Sequence, residues 1–258
     1  MNASSPLPAL AGPSLLRIQA LESWYELLRV LRTPAFAIPS LAFPVVFYVL
    51  FALVLPGQWG GYQKATYLLA TYGVFGIIGP SLFGFGVGLA IEREKGWLEL
   101  KRVSPMPTFV YFLAKIAMSV VFAFAVLCLL TVAAVGFGGV RISPLAWAQL
   151  VATLLLGTLP FCALGLWIGT LVKGQAAVAV VNLVYLPMSV LSGLWIPLFA
   201  FPAVLQKLAV AWPSYHLAQM ALGVVGQVEG VPYARHALVL LAATVVFLAL
   251  AALRLRKA

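Results

Sequence analysis

Six long apolar runs, at 36–55, 66–91, 109–137, 145–172, 176–196 and 234–253, constrain this chain more than any other feature. A helix needs about 20 apolar residues to cross a hydrocarbon core about 30 Å thick, and each run meets that length. Inside a bilayer every backbone amide must be bonded within the protein, which leaves helices or a closed barrel. Uninterrupted apolar runs lack the alternation of barrel strands. The expectation is an all-α integral membrane protein with six transmembrane helices.

Composition and charge agree with that expectation. The 258 residues are 64% hydrophobic and 9% charged, against about 25% charged in a typical soluble domain. So few charges could not cover a water-exposed surface, which excludes an ordinary soluble enzyme and a disordered tail protein. The net charge of +10 does not point to nucleic acid, because the bases sit in gaps between apolar runs rather than on one soluble face. Arg17, Arg29, Arg32, Arg93, Lys95, Lys101, Arg102, Lys173, Arg254, Arg256 and Lys257 fall on one side of a six-span layout, and Lys115 starts the third span on that side. The other side has Lys64, Arg141, Lys207 and Arg235. By the positive-inside rule both termini are expected in the cytoplasm, as in a multi-pass protein of the plasma (inner) membrane. Residues 1–13 lack the basic and apolar regions of a signal peptide.

Two further stretches read as helical without crossing. Between Ser14 and Arg32, the polar residues Gln19, Glu22, Ser23, Glu26 and Arg29 form one stripe, with Leu21, Trp24, Leu28 and Leu31 opposite. Such a helix lies in the membrane interface, and Thr33-Pro34 ends it. Residues 1–33 therefore read as a tail plus a cytoplasmic interfacial helix, and 34–258 as the transmembrane domain. Within that domain, Pro197, Pro202 and Pro213 cut 197–226 into short apolar pieces. Pieces of about 10 to 12 residues suit a re-entrant helical pair before the last span.

Catalytic and cofactor motifs are missing from the sequence. There is no Gly-Lys dipeptide, hence no Walker A phosphate loop. Gly84, Gly86 and Gly88 lie inside the second apolar run, where small-residue helix packing explains them. Cys128 and Cys162 are isolated within apolar runs, so neither a disulfide nor a metal site is expected. The chain has no Asp, and Glu229 with His216 and His236 reads as exposed loop residues or headgroup anchors rather than a triad. No Glu falls well inside an apolar run, which argues against a carrier driven by protons or sodium. Asn182, Ser189 and Ser192 share one helical face in the fifth run, at spacings of seven and three. They are candidates for a translocation path, though the same groups also suit interhelical hydrogen bonds.

One segment concentrates charge in a chain where charge is scarce. Glu92-Arg93-Glu94-Lys95-Gly96-Trp97-Leu98-Glu99-Leu100 opens a stretch, 92–107, that ends in Val103-Ser104-Pro105-Met106-Pro107 and is followed by Ala114-Lys115. The order of an acidic–basic pair, a Gly, two spaced Leu, a Ser-Pro and an Ala-Lys resembles the permease subunits of ABC transporters of the type-2 exporter family. Trp97 stands where a small residue is common in that family. Ser192-Gly193-Leu194-Trp195-Ile196-Pro197 and Pro213-Ser214-Tyr215-His216 are similar to its region before the last span.

The resemblance implies a non-enzymatic transmembrane subunit of an ATP-driven exporter of a hydrophobic or amphipathic substrate, such as a drug-like molecule, a lipid or a glycan. It implies two copies of a separate ATPase chain that hold ATP and Mg, and a second permease, identical or related. Residues Glu92 to Leu100 would then receive motion from the ATPase. Membrane lipid is expected as a partner and nucleic acid is not. The alternative is an ion-coupled or passive transporter without an ATPase.

Overall fold

The computed structural model describes residues 14–55, 59–103 and 106–256. Residues 1–13, Ser104, Pro105 and Lys257, which enter the reading above, lie outside them. Among the described residues every regular element is helical, apart from one isolated bridge between Trp59 and Tyr62.

Helix α1 (Leu15–Leu31) starts at Ser14, whose side chain accepts from the Arg17 amide, and ends at Arg32. Pro34, with its preset backbone and no amide hydrogen, occupies the first turn of α2 (Pro34–Tyr48). The chain continues through a wider π-helical turn, Val49–Val54, so that Pro34–Val54 is one apolar rod. Helix α3 (Lys64–Leu82), a π-helical stretch Phe83–Val87 and α4 (Gly88–Glu94) form a second rod of 31 residues. At 1.5 Å per residue it is about 46 Å long, more than the hydrocarbon core requires. The short α5 (Trp97–Val103) follows, then α6 (Thr108–Gly136).

Helices α7 (Pro144–Leu156) and α8 (Leu159–Leu171) make one rod, Pro144–Leu171, interrupted at Gly157-Thr158 ahead of Pro160. Helix α9 (Ala176–Leu191) has 16 residues, shorter than the fifth apolar run. Its end has a local cause: Gly193 takes φ +75°, a conformation open to glycine, and turns the chain away. Short helices α10 (Ala203–Ala209) and α11 (Pro213–Val224) follow, with Pro202 and Pro213 at their starts. The last helix is α12 (Tyr233–Leu255). Among the described residues five helical rods are long and apolar enough to cross a membrane, and α9 is a sixth, shorter apolar helix.

α3 is the axis of the bundle and is buried along nearly its whole length, against α2, α6, α7, α8, α9 and α11. Apolar association gives little advantage in a lipid solvent, so close backbone approach matters instead. A Cβ on Gly169 would stand 2.7 Å from the Gly86 carbonyl, and one on Gly165 3.0 Å from that of Leu82. These glycines let α8 lie directly on the π-helical stretch. α12 is mostly exposed and α2 half-buried, with apolar side chains such as Ile38, Phe43, Leu238 and Leu241 facing outward.

Candidate functional site

The longest rod carries charge into the interior at one end. Glu92, in the last turn of α4, is 2% exposed, Lys115 of α6 is 0% exposed and Glu26 of α1 is 5% exposed. The Lys115 ammonium donates to Glu26 at 2.8 Å and to Glu92 at 3.0 Å. Arg29 donates to the same Glu26 oxygen at 2.6 Å and also pairs with Glu92. The Tyr111 hydroxyl donates to the other oxygen of Glu92, and its ring lies 5.0 Å from the Lys115 ammonium. Two cations and two carboxylates thus cancel in a closed network that ties α1, α4 and α6 together. Gly88 makes room for it, since a Cβ there would be 3.3 Å from Lys115 Nζ and 3.6 Å from Arg29. For Arg29, burial opposes the charged form, but the charges of Glu26 and Glu92 outweigh it and hold the guanidinium above its ordinary pKa.

The polar stripe of α1 therefore faces the protein. Glu26 is buried, Gln19 bonds Ser23 at 3.0 Å, and Glu22 pairs with Lys101 of α5. Leu21, Trp24 and Leu31 are exposed on the other side. The apolar face of this helix is the outward one.

Among the described residues no Glu falls well inside a rod, but Glu92 lies in the last turn of one. Glu92 sits within the helical rod Lys64–Glu94, because the helix runs on through the π-helical stretch and the charged residues after it. Its carboxylate is enclosed by Arg29, Lys115 and Tyr111 and is not presented at a surface. Arg93 donates to the Gly169 carbonyl at 2.9 Å and fastens the segment to the end of α8. Gly96, at φ +71°, makes the turn into α5. Leu98 packs inward beside Phe85, Leu89 and Tyr111. Glu94, Lys95, Trp97, Glu99 and Leu100 are exposed, Leu100 at 67%, and the Lys95 ammonium lies 4.7 Å from the Trp97 ring. The nine-residue segment is thus a buried root at Glu92 carrying an exposed, partly apolar tip.

A groove of about 680 Å³ opens between α2, α3 and α9. Phe43, Phe47, Phe75, Phe83, Tyr185 and Trp195 form its aromatic wall, and Arg29 of the ionic network stands at one end. Phe75 stacks on Tyr185 with ring centroids 5.1 Å apart, and Trp195 meets Phe47 at the same distance. Of the three polar residues of the fifth run, only Asn182 lines this groove. Its amide donates to the Val178 carbonyl at 3.0 Å. Ser189 is buried and donates to the Tyr185 carbonyl at 2.7 Å, and Ser192 is buried against the Ser214 hydroxyl at 2.5 Å. Ser189 thus bonds within its own helix, whereas Ser192 joins the end of α9 to α11, and neither lines the groove.

His216 and His236 are buried against each other rather than exposed, with their Nδ1 atoms 2.8 Å apart. Their pairing needs the tertiary fold, because 20 residues separate them. Glu26, Arg29 and Tyr111 were also not singled out as a site. The only sequence signal for them was the Glu26/Arg29 spacing on the α1 stripe together with Ala114-Lys115.

The comparisons with known proteins agree with this architecture. Residues 20–225 match the family described as ABC-2 type transporter. A Bacillus subtilis (strain 168) protein named as a transport permease, YvfS, is 31% identical over 236 residues, which cover 89% of this chain and 93% of that protein. A matching region of that extent includes the ionic network, the exposed tip and the groove. The chain belongs to the ABC-2 type transporter family of membrane permeases.

Proposed function

We propose that this chain is the transmembrane subunit of an ATP-driven exporter, and that it carries a hydrophobic or amphipathic substrate out of the cytoplasm. Six helices cross the plasma membrane, α9 among them, with both termini cytoplasmic and α10–α11 as a re-entrant pair. A separate ATPase chain in two copies binds ATP with Mg and hydrolyses it. A second permease, identical or related, completes the assembly.

The observation that supports this reading best is the double role of Arg29. It is part of the ionic network rooted at Glu92, directly before the exposed tip, and it also stands at the end of the groove. The ATPase docks on the exposed Glu94, Lys95, Trp97, Glu99 and Leu100. A push on this tip moves α4 as a rigid lever. Because Glu92, Lys115, Glu26 and Arg29 are locked together, α1 and α6 move with it, and the groove wall formed by α2 and α3 moves in turn. Glu92 acts here as a positioning residue, and Arg93 and Gly96 hold the tip at its angle. The ion-coupled alternative would need a carboxylate free to take up an ion, and the cations around Glu92 oppose that use.

Two variants of the tip test the reading in the full chain, purified from its own membrane together with its ATPase. Glu94→Lys is expected to leave the amount and stability of the permease unchanged, since a solvated charge contributes little to folding. It is expected to weaken ATPase association by roughly 2 kcal/mol, about thirtyfold. Gly96→Pro, which misaligns α5, is expected to remove substrate-stimulated hydrolysis altogether. Parental co-purification and hydrolysis in both variants would show that the tip is only a solvated turn and would overturn the reading.

A further inference from the structure

The end of the bundle opposite the ionic network holds the chain's two histidines, both buried. Ala251, near the far end of α12, packs with Phe85, Leu89 and Tyr111 beside the ionic network. His236 lies 15 residues earlier on the same helix, about 22 Å away along its axis. It faces His216 in the first turn of α11, so the two imidazoles join the start of α11 to the start of α12.

Their hydrogen bonds leave one arrangement of protons. His216 Nε2 lies 3.0 Å from the Val210 carbonyl, which can only accept, so this nitrogen carries the hydrogen. In a neutral ring, His216 Nδ1 is then a bare acceptor. The 2.8 Å contact between the two Nδ1 atoms therefore requires His236 Nδ1 to donate. His236 Nε2 keeps a lone pair with no partner specified by these bonds. A first proton can enter there without disturbing the bond between the rings, and the added charge strengthens it. A second proton must go to His216 Nδ1, where it faces the N–H of His236. Two donors and two positive rings then confront each other, and the bond is lost.

The surroundings disfavour protonation of His216. Burial lowers its affinity for protons, the Val210 carbonyl opposes this, and the Arg235 guanidinium lowers it further. α12 brings Arg235 and Tyr233 to this end. α3 brings Tyr67, whose hydroxyl donates to the Gly193 carbonyl, Tyr72, and Lys64, which donates to the Leu55 carbonyl. α10 brings Lys207, Tyr215 lies edge-on to both imidazoles, and α7 contains no titratable residue. Among the described residues the helices packed around the pair bring no carboxylate to offset a second charge, and Glu229, exposed in the connection from α11 to α12, is not among the charges acting on either imidazole. The stabilising effect of a neutral His216 is complete above the ordinary imidazole pKa of about 6.5 and is lost as pH falls through its lower folded value.

We propose that His216 and His236 form a single proton-binding site that clamps α11 to α12 with zero or one proton bound and releases them with two. α11 also anchors the end of α9 through the Ser192–Ser214 bond, so release loosens the helix that carries Asn182 and Tyr185 into the groove. On the topology given under Proposed function, on which this point rests, the clamp faces the outside and senses external acid.

The test uses the full chain in lipid nanodiscs, labelled with [15N]histidine and purified on a tag without histidine, so that only two imidazoles give signals. At neutral pH one ring is expected as the Nε2–H tautomer and the other as the Nδ1–H tautomer, with coupling between the bonded nitrogens. On acidification the second proton is expected to bind at least about tenfold more weakly than the first, as coupled sites do. Hydrogen exchange of the α11 amides is expected to rise about tenfold or more across that second step. In His236→Gln, His216 is expected to titrate in a single step with no second rise in exchange. Two independent titrations at the ordinary value, or two rings of one tautomer, overturn the shared site. Coupled titration with unchanged α11 exchange overturns the clamp. None of these readings depends on transport, so a failure of the exporter reading would leave them standing.

Discussion

At one end of the bundle the buried polar groups are charged: Glu26, Glu92 and Lys115, with the partly exposed Arg29 and the Tyr111 hydroxyl closing the set. At the other end they are neutral: the Ser192–Ser214 hydroxyl pair and the His216–His236 imidazole pair. Both solve the same problem, since polar atoms removed from water must find partners. They solve it with different consequences. A closed set of opposite charges tolerates no missing member, because each absence leaves a buried charge without compensation. A neutral pair can be lost, or protonated, at much smaller cost. The charged end is suited to transmitting a displacement without yielding. The neutral end is suited to letting go.

The largest expected effect breaks the charged end. Lys115→Met leaves Glu26 and Glu92 sharing only Arg29, and it is expected to destabilise the folded chain by about 3–5 kcal/mol. Adding Glu92→Gln removes one of the stranded carboxylates. The double variant is therefore expected to recover part of the loss, giving a coupling of about 2 kcal/mol in a double-mutant cycle. Denaturation in detergent, followed for the parent, both single variants and the double, measures it. If the losses simply add, the four charges are independent, and the difference between the two ends disappears.

An intermediate effect is expected at the neutral end. Ser192→Ala leaves Ser214 near the Met188 carbonyl, 3.5 Å away, as its remaining partner. The loss is expected to be about 1 kcal/mol, the net worth of one neutral hydrogen bond, by the same denaturation measurement. A loss as large as that of Lys115→Met would mean that the neutral end is as unyielding as the charged one.

What the sequence made legible follows the same division. The apolar runs marked the rods because a bilayer demands length and hydrophobicity, and both are properties of a single segment. The break at Thr33-Pro34 and the short pieces around Pro202 and Pro213 were visible because proline acts locally on its own backbone. The partners of Glu92 were not, because Arg29 and Lys115 lie 63 and 23 residues from it in the chain and meet it only when α1, α4 and α6 pack. The stripe on α1 was plain, but a stripe does not say which face meets protein. In water the polar side would face out, and against a bundle with charged partners in lipid it faces in. Ser189 and Ser192 had the spacing of one helical face, yet spacing does not say which neighbour that face meets, here Ser214 of α11 for Ser192.

The smallest effect on stability, and the most informative for transport, is expected between the two ends. Asn182 lines the groove, and its amide bonds only to its own helix, at the Val178 carbonyl. Leucine in its place loses one net hydrogen bond but gains helix propensity, since Asn competes with the helical backbone for its own carbonyls. Asn182→Leu is therefore expected to change stability by less than about 1 kcal/mol. If the groove carries substrate, loss of this amide removes a rare polar contact from a wall of aromatic rings. Export of substrates with hydrogen-bonding groups is then expected to fall by about twofold to tenfold, as one such bond allows, while purely apolar ones are unaffected. The measurement is uptake into inside-out vesicles for a matched pair of dyes, one with and one without a hydrogen-bonding group, beside thermal unfolding of the same preparation. Equal export of both dyes with unchanged stability would show that the groove is filled by something other than substrate. A loss of stability comparable to that of Lys115→Met would place Asn182 with the structural groups of the bundle.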